Sequence, residues 1–124
     1  MKLTFLGTKG YIEPESRRHR MHTSLLVSYL GRRVMVDCGS TWQGKIGQIN
    51  PHAIVLTHFH PDHVSGLTGG ERIFCPVYAS RQAWEKAQDP EAFTDIHKKT
   101  LLPEISETIM GMKFTAIPVL HSTR

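Results

Sequence analysis

The most constraining feature of the sequence is a short apolar segment, residues 53–56 (AIVL), that runs directly into a cluster of polar side chains. A continuous apolar run of this length predicts a strand buried on both faces, as in a sheet covered by helices. The next residues, 57–63, read THFHPDH and contain three histidines and an aspartate. The chain must therefore fold so that a buried strand ends at a group of potential metal ligands.

The spacing of these ligands fits a metal site. In an extended backbone, His58 and His60 share one face about 6.6 Å apart, which lets two imidazoles converge on one ion. Pro61 turns the chain, so Asp62 and His63 are directed toward a second position, about 3.5–4 Å from the first in two-metal hydrolases. The alternative is a polar loop with surface histidines, but the complete set directly after a buried strand favours the metal site.

The remaining pattern predicts an α/β protein. Strands are predicted at residues 3–6, 24–30, 34–37, 53–57 and 77–79, helices at 41–49 and 81–87, and an extended segment at 112–120. A short connection that includes Gly31 predicts a hairpin between the second and third strands, and Ser80 is a suitable N-cap for the second helix. Strands and helices alternate without repeats, and a length of 124 residues suits one domain.

Composition narrows the function classes. Fifteen Lys and Arg against eleven Asp and Glu give a net charge of +4. This charge fits a small-molecule or nucleotide-type anionic substrate, and it is too low to favour nucleic acid as the main partner. No apolar run is long enough for a membrane span, so we expect no membrane partner and a cytoplasmic location. Cys38 and Cys75 lack a metal-binding spacing and are predicted to be reduced, buried thiols.

The pattern H-x-H-x-D-H at the end of a strand resembles the signature of the metallo-β-lactamase-fold superfamily. Three further segments are similar to its ribonuclease Z-like and cyclic-phosphodiesterase-like branch: residues 5–8 (FLGT), 36–39 (VDCG) and 119–122 (VLHS). The resemblance covers essentially the whole chain. It implies an α/β fold that is the first half of a four-layer αβ/βα sandwich, with one mixed, mostly antiparallel sheet and helices on one face.

The resemblance also implies which residues form the site. The implied metal ligands are His58, His60, Asp62, His63 and His121. The three histidines at 58, 60 and 121 would bind a first ion, and Asp62 and His63 would bind part of a second. The implied cofactor is Zn²⁺, as one or two ions, with Mn²⁺ or iron as alternatives.

Asp37 has an implied supporting role. It would orient the histidine loop through hydrogen bonds. The alternative is an ordinary turn residue at the end of a strand.

The implied function is a metal-dependent hydrolase, most simply of the phosphodiesterase type, in which Asp62 positions a metal-bound hydroxide as the catalytic residue. Pro61 stands where ribonuclease Z usually has glycine, which favours other phosphodiesterase-like members over tRNA processing. Two alternatives stay open. One is a thioester, lactone or lactam hydrolase of the same fold, and the other is a non-catalytic metal-binding half-domain that needs a partner.

The resemblance ends before the superfamily's second half, which supplies a bridging aspartate and a last histidine. We therefore expect residues 1–124 to be a domain truncated after the third ligand histidine, with little hydrolase activity of its own. The apolar sheet face that the second half normally covers is then expected to be exposed, and a homodimer is one way to cover it.

Overall fold

The computed structural model describes residues 1–7, 24–39, 42–57, 67, 73–85 and 96–117. Its strands are β1 (Lys2–Gly7), β2 (Ser24–Tyr29), β3 (Arg32–Val36), β4 (Ala53–Val55), β5 (Val77–Ser80), β6 (Lys98–Leu101), β7 (Glu107–Ile109) and β8 (Met112–Phe114). In these ranges the helices are α1 (Ile46–Ile49), between β3 and β4, and α2 (Arg81–Glu85), between β5 and β6. The predicted alternation of strands and helices in an α/β fold is confirmed.

The main sheet has six strands in sequence order, from β1 to β6. The pairs β1–β2 and β2–β3 are antiparallel, whereas β3–β4, β4–β5 and β5–β6 are parallel. The prediction of a mixed sheet is confirmed, but the prediction of a mostly antiparallel sheet is wrong for these six strands. The physical reason is the length of the connections between these strands. Each connection is longer than the dozen or so residues that a parallel crossover needs: residues 37–52, 56–76 and 81–97.

The β2–β3 hairpin shows the opposite case. Leu30 and Gly31 connect the two strands with φ angles of 49° and 76°. Two consecutive residues with positive φ form the tight turn whose twist matches that of antiparallel strands. The predicted hairpin is confirmed.

Both described helices pack on one face of the sheet, as predicted. Ile46 of α1 and Ala83 of α2 join a buried cluster with Met35, Ile54 and Ala79. The Ser80 hydroxyl accepts a hydrogen bond from the Ala83 N–H at 3.1 Å, which confirms the predicted N-cap of α2.

The first helix is shorter than the sequence predicts. It spans Ile46–Ile49 rather than 41–49. Gly44 has a φ of 75°, a left-handed conformation that cannot continue a right-handed helix.

The opposite face of the sheet is covered at its centre by an antiparallel hairpin of β7 and β8. Ile109 and Met112 from this hairpin are buried in a cluster with Val34, Ala53 and Val55. The predicted exposure of this face is therefore wrong for the central strands. The hairpin covers them because its two apolar side chains replace solvent there.

The same face is exposed at β1. Leu3 pairs with Val27 and Phe5 pairs with Leu25, so these side chains lie on the hairpin face. Leu3 is 55% exposed and Phe5 is 73% exposed. The predicted apolar exposure is confirmed at this edge of the sheet.

Candidate functional site

The parallel strands β3 to β6 all end at one edge of the sheet. Because β2 runs antiparallel to β3, its first residue lies at the same edge. We call this end of the sheet the carboxyl edge and define it by Ser24, Asp37, Thr57 and Ser80. In open α/β sheets, ligands bind outside the carboxyl ends of the strands, so this edge is the expected place for a site.

Asp37 connects the end of β3 to the residue that precedes the predicted ligand segment. Its Oδ1 accepts a hydrogen bond from the Thr57 N–H at 2.8 Å. Its Oδ2 accepts a second hydrogen bond from the Thr57 hydroxyl at 2.7 Å. We call this pair of contacts the Asp37–Thr57 clamp.

The backbone of Asp37 makes the clamp possible. It has a φ of 62°, a left-handed conformation that Asp tolerates better than most residues. Its N–H donates to the Val55 carbonyl at 2.9 Å, which extends the pairing of β3 and β4 by one residue. The turn that follows β3 therefore aims the carboxylate across the end of β4 at Thr57.

Burial raises the energetic importance of the clamp. Asp37 is 3% exposed, whereas an aspartate is normally on the surface. A buried carboxylate is tolerated only when hydrogen bonds replace its lost hydration. Thr57 supplies two such bonds, and in return its own position at the end of β4 is fixed.

Buried polar side chains are concentrated at the carboxyl edge. Among the described residues, only Ser24 and Asp37 are polar or charged and buried. Ser24 is 1% exposed, and its Oγ has no hydrogen-bond partner within the described part of the chain. Sequence reasoning missed Ser24, because a serine at the start of a strand carries no signal of its own.

The predicted ligands themselves, His58, His60, Asp62, His63 and His121, lie outside the described residues. Their convergence on one or two ions stays a prediction. In the described ranges, no three His, Cys, Asp or Glu side chains come together in a way that could hold a metal ion.

Asp37 is described, and its position agrees with the role that the resemblance implies. Residue 58 directly follows Thr57 in the chain. The clamp thus fixes the backbone at the point where the predicted ligand segment begins. The alternative interpretation, a strand-end turn residue, is compatible with the same contacts, so the role of Asp37 toward the histidines stays a prediction.

Within the described ranges, neither cysteine belongs to a group of side chains that could hold a metal ion. Both are free thiols, as predicted, although only Cys38 is fully buried and Cys75 is half-buried. Desolvation by burial raises the pKa of the Cys75 thiol to about 11. The side chain is therefore protonated at neutral pH, and a protonated thiol is a poor metal ligand and nucleophile.

The described helices, α1 and α2, are too short to cross a membrane.

A family model described as the metallo-beta-lactamase superfamily matches residues 17–123. Among curated proteins, the chain is similar to a ribonuclease Z from Clostridium acetobutylicum, with 40% identity over 74 residues. That match covers 56% of this chain and 23% of the relative, so the chain spans about a quarter of the relative's length.

Solved structures agree on the fold. A diphosphatase from the PhnP family superposes with a TM-score of 0.72 at 24% identity, over 96% of this chain and 57% of that chain. A Zn²⁺-bound PqqB from Methylobacterium extorquens gives a TM-score of 0.57 at 23% identity, over 71% of this chain and 36% of that chain. The fold of this chain is therefore that of metallo-beta-lactamase-fold proteins.

Proposed function

The chain belongs to the metallo-beta-lactamase superfamily, and on that premise we propose that it is a metal-dependent hydrolase of the phosphodiesterase type. The names of two similar proteins support this reaction class. One is a ribonuclease and the other a diphosphatase, and both names denote hydrolysis at phosphorus.

The single observation that carries the proposal is the Asp37–Thr57 clamp. A hydrolytic metal site needs ligands that leave the scaffold in a fixed direction, because small displacements of reacting groups cost about a hundredfold in rate. The clamp provides this rigidity one residue before His58. Both Asp37 oxygens accept hydrogen bonds from Thr57, so we assign Asp37 the role of supporting the start of the ligand segment.

The residues present fit a metal ion. The predicted ligands His58, His60, Asp62, His63 and His121 offer imidazole and carboxylate donors, which suit zinc, with manganese or iron as alternatives. The orphaned Ser24 hydroxyl at the same edge is a second sign that a bound group belongs there. When bound, zinc acts as a Lewis acid and lowers the pKa of its water to about 7.

The chain's own residues would then do the following. The Asp62 carboxylate would orient the attacking water and accept its proton. The Asp37–Thr57 clamp would hold the start of the ligand segment in place while this happens.

The substrate we propose is an anionic small molecule or nucleotide, since the net charge of +4 favours attraction of a phosphate ester. RNA is the alternative, supported by the name ribonuclease Z and opposed by Pro61. We place the reaction in the cytoplasm.

Zinc binding by individual histidine variants tests the metal site. We expect His60→Ala to weaken zinc binding at least about a hundredfold, because it removes a direct ligand. His97→Ala is the matched control, since His97 is an exposed histidine outside the predicted ligand set. Equilibrium dialysis with elemental analysis of the protein measures both, and equal zinc binding by the two variants would contradict the proposed site.

Chromogenic substrates test the reaction class. We expect zinc-dependent hydrolysis of bis(p-nitrophenyl) phosphate at the low rate expected of residues 1–124, and a fall of that rate to the zinc-free background in Asp62→Ala. Glu107→Ala, which removes an exposed carboxylate from β7, should leave the rate unchanged. Faster hydrolysis of a chromogenic thioester, lactone or lactam than of the phosphodiester would favour the alternative substrate class.

A further inference from the structure

We propose that Ser24 is a positioning residue of the metal site. Its hydroxyl oxygen accepts a hydrogen bond from the ring N–H of a metal-bound histidine and thereby tightens metal binding. The inference rests on the proposed function, because it requires a metal ion at the carboxyl edge.

The Ser24 hydroxyl is buried and has no partner among the described residues. The side chain is 1% exposed, and Oγ makes no hydrogen bond to any described residue. Buried hydroxyls are nearly always hydrogen bonded, because water is no longer available to them. An orphaned hydroxyl in a buried place indicates a group that joins it in another state of the protein.

The position of Ser24 in the sheet also supports this role. Ser24 pairs with Gly7 of β1, and the next residue, Leu25, pairs with Val36 of β3. Ser24 therefore lies level with Asp37, which follows Val36 in the chain. The polar group without a partner thus sits at the same end of the sheet as the clamp.

The local strand geometry supports this placement. The β1–β2 register shifts between Phe5 and Gly7, directly beside Ser24. Such bulges bend a strand and redirect its side chains, and they are frequent next to active sites.

The partner proposed for Ser24 is the ring N–H of a histidine. A metal-bound histidine uses one ring nitrogen for the metal and donates the other ring N–H to an oxygen. The two Asp37 oxygens each already accept a hydrogen bond from Thr57. Ser24 offers a further buried oxygen at this edge, and a hydroxyl can accept such a bond.

The test compares zinc affinity in two serine variants. Ser24→Ala removes the proposed acceptor, and we expect the Kd for zinc to rise about tenfold. Ser28→Ala is the matched control, because Ser28 is on the same strand, is half-buried and pairs with Lys2 and Arg33 toward the other end of the sheet. Competition with a chromophoric chelator measures both values on the 124-residue chain.

Stability without metal separates a positioning role from a merely structural one. If the hydroxyl has no partner in the metal-free protein, Ser24→Ala removes an unsatisfied polar group, so the urea midpoint should stay the same or rise. We therefore expect Ser24→Ala to bind zinc more weakly than the wild type, while its metal-free form is equally stable or more stable. A metal-free midpoint that falls together with zinc affinity would overturn the proposal, because the hydroxyl would then have a structural partner.

A spectroscopic measurement reports on the proposed bond itself. In the Co²⁺-substituted protein, exchangeable ring N–H protons of bound histidines give separate NMR signals. We expect one of them to exchange with solvent markedly faster in Ser24→Ala than in the wild type or in Ser28→Ala.

The outcomes distinguish the two proposals. If the wild-type chain binds no zinc, the proposed metal site and the role of Ser24 are both wrong. If the wild type and Ser28→Ala bind zinc and Ser24→Ala binds it equally well, only the role of Ser24 is wrong.

Discussion

The two ends of the β3–β4 pair are both closed by side-chain hydrogen bonds, but with different chemistry. At the carboxyl edge, the buried Asp37 carboxylate accepts two bonds from Thr57. At the opposite end, which we call the amino edge and define by Arg33, Asn50 and His52, two of the three side-chain contacts are exposed and the third is part-buried, as the clamp is. The same two strands therefore carry a buried carboxylate at one end and mostly exposed side-chain contacts at the other.

The contacts at the amino edge hold the turn that leads the chain from α1 into β4. The His52 N–H donates to the Arg33 carbonyl at 2.8 Å, and the Arg33 N–H donates to His52 Nδ1 at 3.0 Å. The Arg33 guanidinium donates to the Asn50 carbonyl from Nε at 3.1 Å and from Nη2 at 3.0 Å. Asn50 ends α1 in a left-handed conformation.

The contrast shows that turning the chain does not require a buried charge. The amino edge achieves a turn with groups that water can also satisfy. Burying a carboxylate carries a large desolvation penalty, so its use at the carboxyl edge indicates a demand for fixed direction that the amino edge does not have. The predicted ligand segment begins at the carboxyl edge.

The largest expected effect is at Asp37. Asp37→Ala leaves two Thr57 donors without their acceptor and places alanine in a left-handed backbone, so we expect the free energy of unfolding to fall by roughly 3 kcal/mol. Asp37→Asn is the control that keeps an acceptor oxygen and tolerates the backbone, with a loss about half as large. Urea unfolding measures both, and equal losses would show that the carboxylate charge is irrelevant.

Thr57 should show the next largest effect. Thr57→Val removes only the hydroxyl donor to Oδ2 and keeps the shape of the side chain, so we expect a loss of about 1.5 kcal/mol in unfolding free energy. Thr57→Ser retains the hydroxyl and should lose little. Combined with Asp37→Asn in a double-mutant cycle, the two effects should be strongly non-additive; simple additivity would mean that the clamp contributes no coupling.

At the amino edge, His52→Ala should reduce the unfolding free energy by about 1 kcal/mol, because the half-buried Arg33 N–H loses its acceptor. His52→Asn offers an amide oxygen in place of Nδ1 and should recover part of the loss. Neither variant should change zinc affinity. A zinc affinity as sensitive to His52→Ala as to Asp37→Asn would remove the distinction between the two edges.

The smallest effect is expected for Arg33→Lys. Lysine keeps the charge but cannot place two N–H groups on the Asn50 carbonyl. Because this contact is exposed, water replaces it readily, and we expect a change of no more than about 0.5 kcal/mol in unfolding free energy. A thermal or urea scan checks this, and a loss comparable to that of Thr57→Val would show that exposure does not weaken the amino edge.

Sequence patterns predicted the strands and turns that depend only on neighbouring residues in the chain. The segment 53–56 was recognisable as a buried strand because every side chain in it is apolar, and Ala53 and Ile54 are fully buried. The number of parallel strand pairs was not predicted, because the direction of each pair depends on the connection between its strands. The β7–β8 hairpin was missed because its strands have three residues each and its turn, at Met110 and Gly111, lacks the usual Asn-Gly signal.

The residues of the candidate site also fall into those that the sequence predicts and those that only the structure reveals. Asp37 was found through the resemblance of residues 36–39 to a known strand end, and the structure supplies its partner, Thr57. Ser24 was missed because its position beside Asp37 follows from the register of β1, β2 and β3, which no single segment contains. The ligand residues after Thr57 stay predictions from their spacing.

The left-handed backbone of Asp37 limits how this position can vary during evolution. Glycine would satisfy the backbone but lacks a carboxylate, and glutamate has the carboxylate but not the tolerance for positive φ. Asparagine alone satisfies the backbone and keeps one acceptor oxygen. Neutral substitution at residue 37 is thus confined to asparagine. Related proteins that have neither aspartate nor asparagine at this position should also have lost the need for a fixed segment after β4.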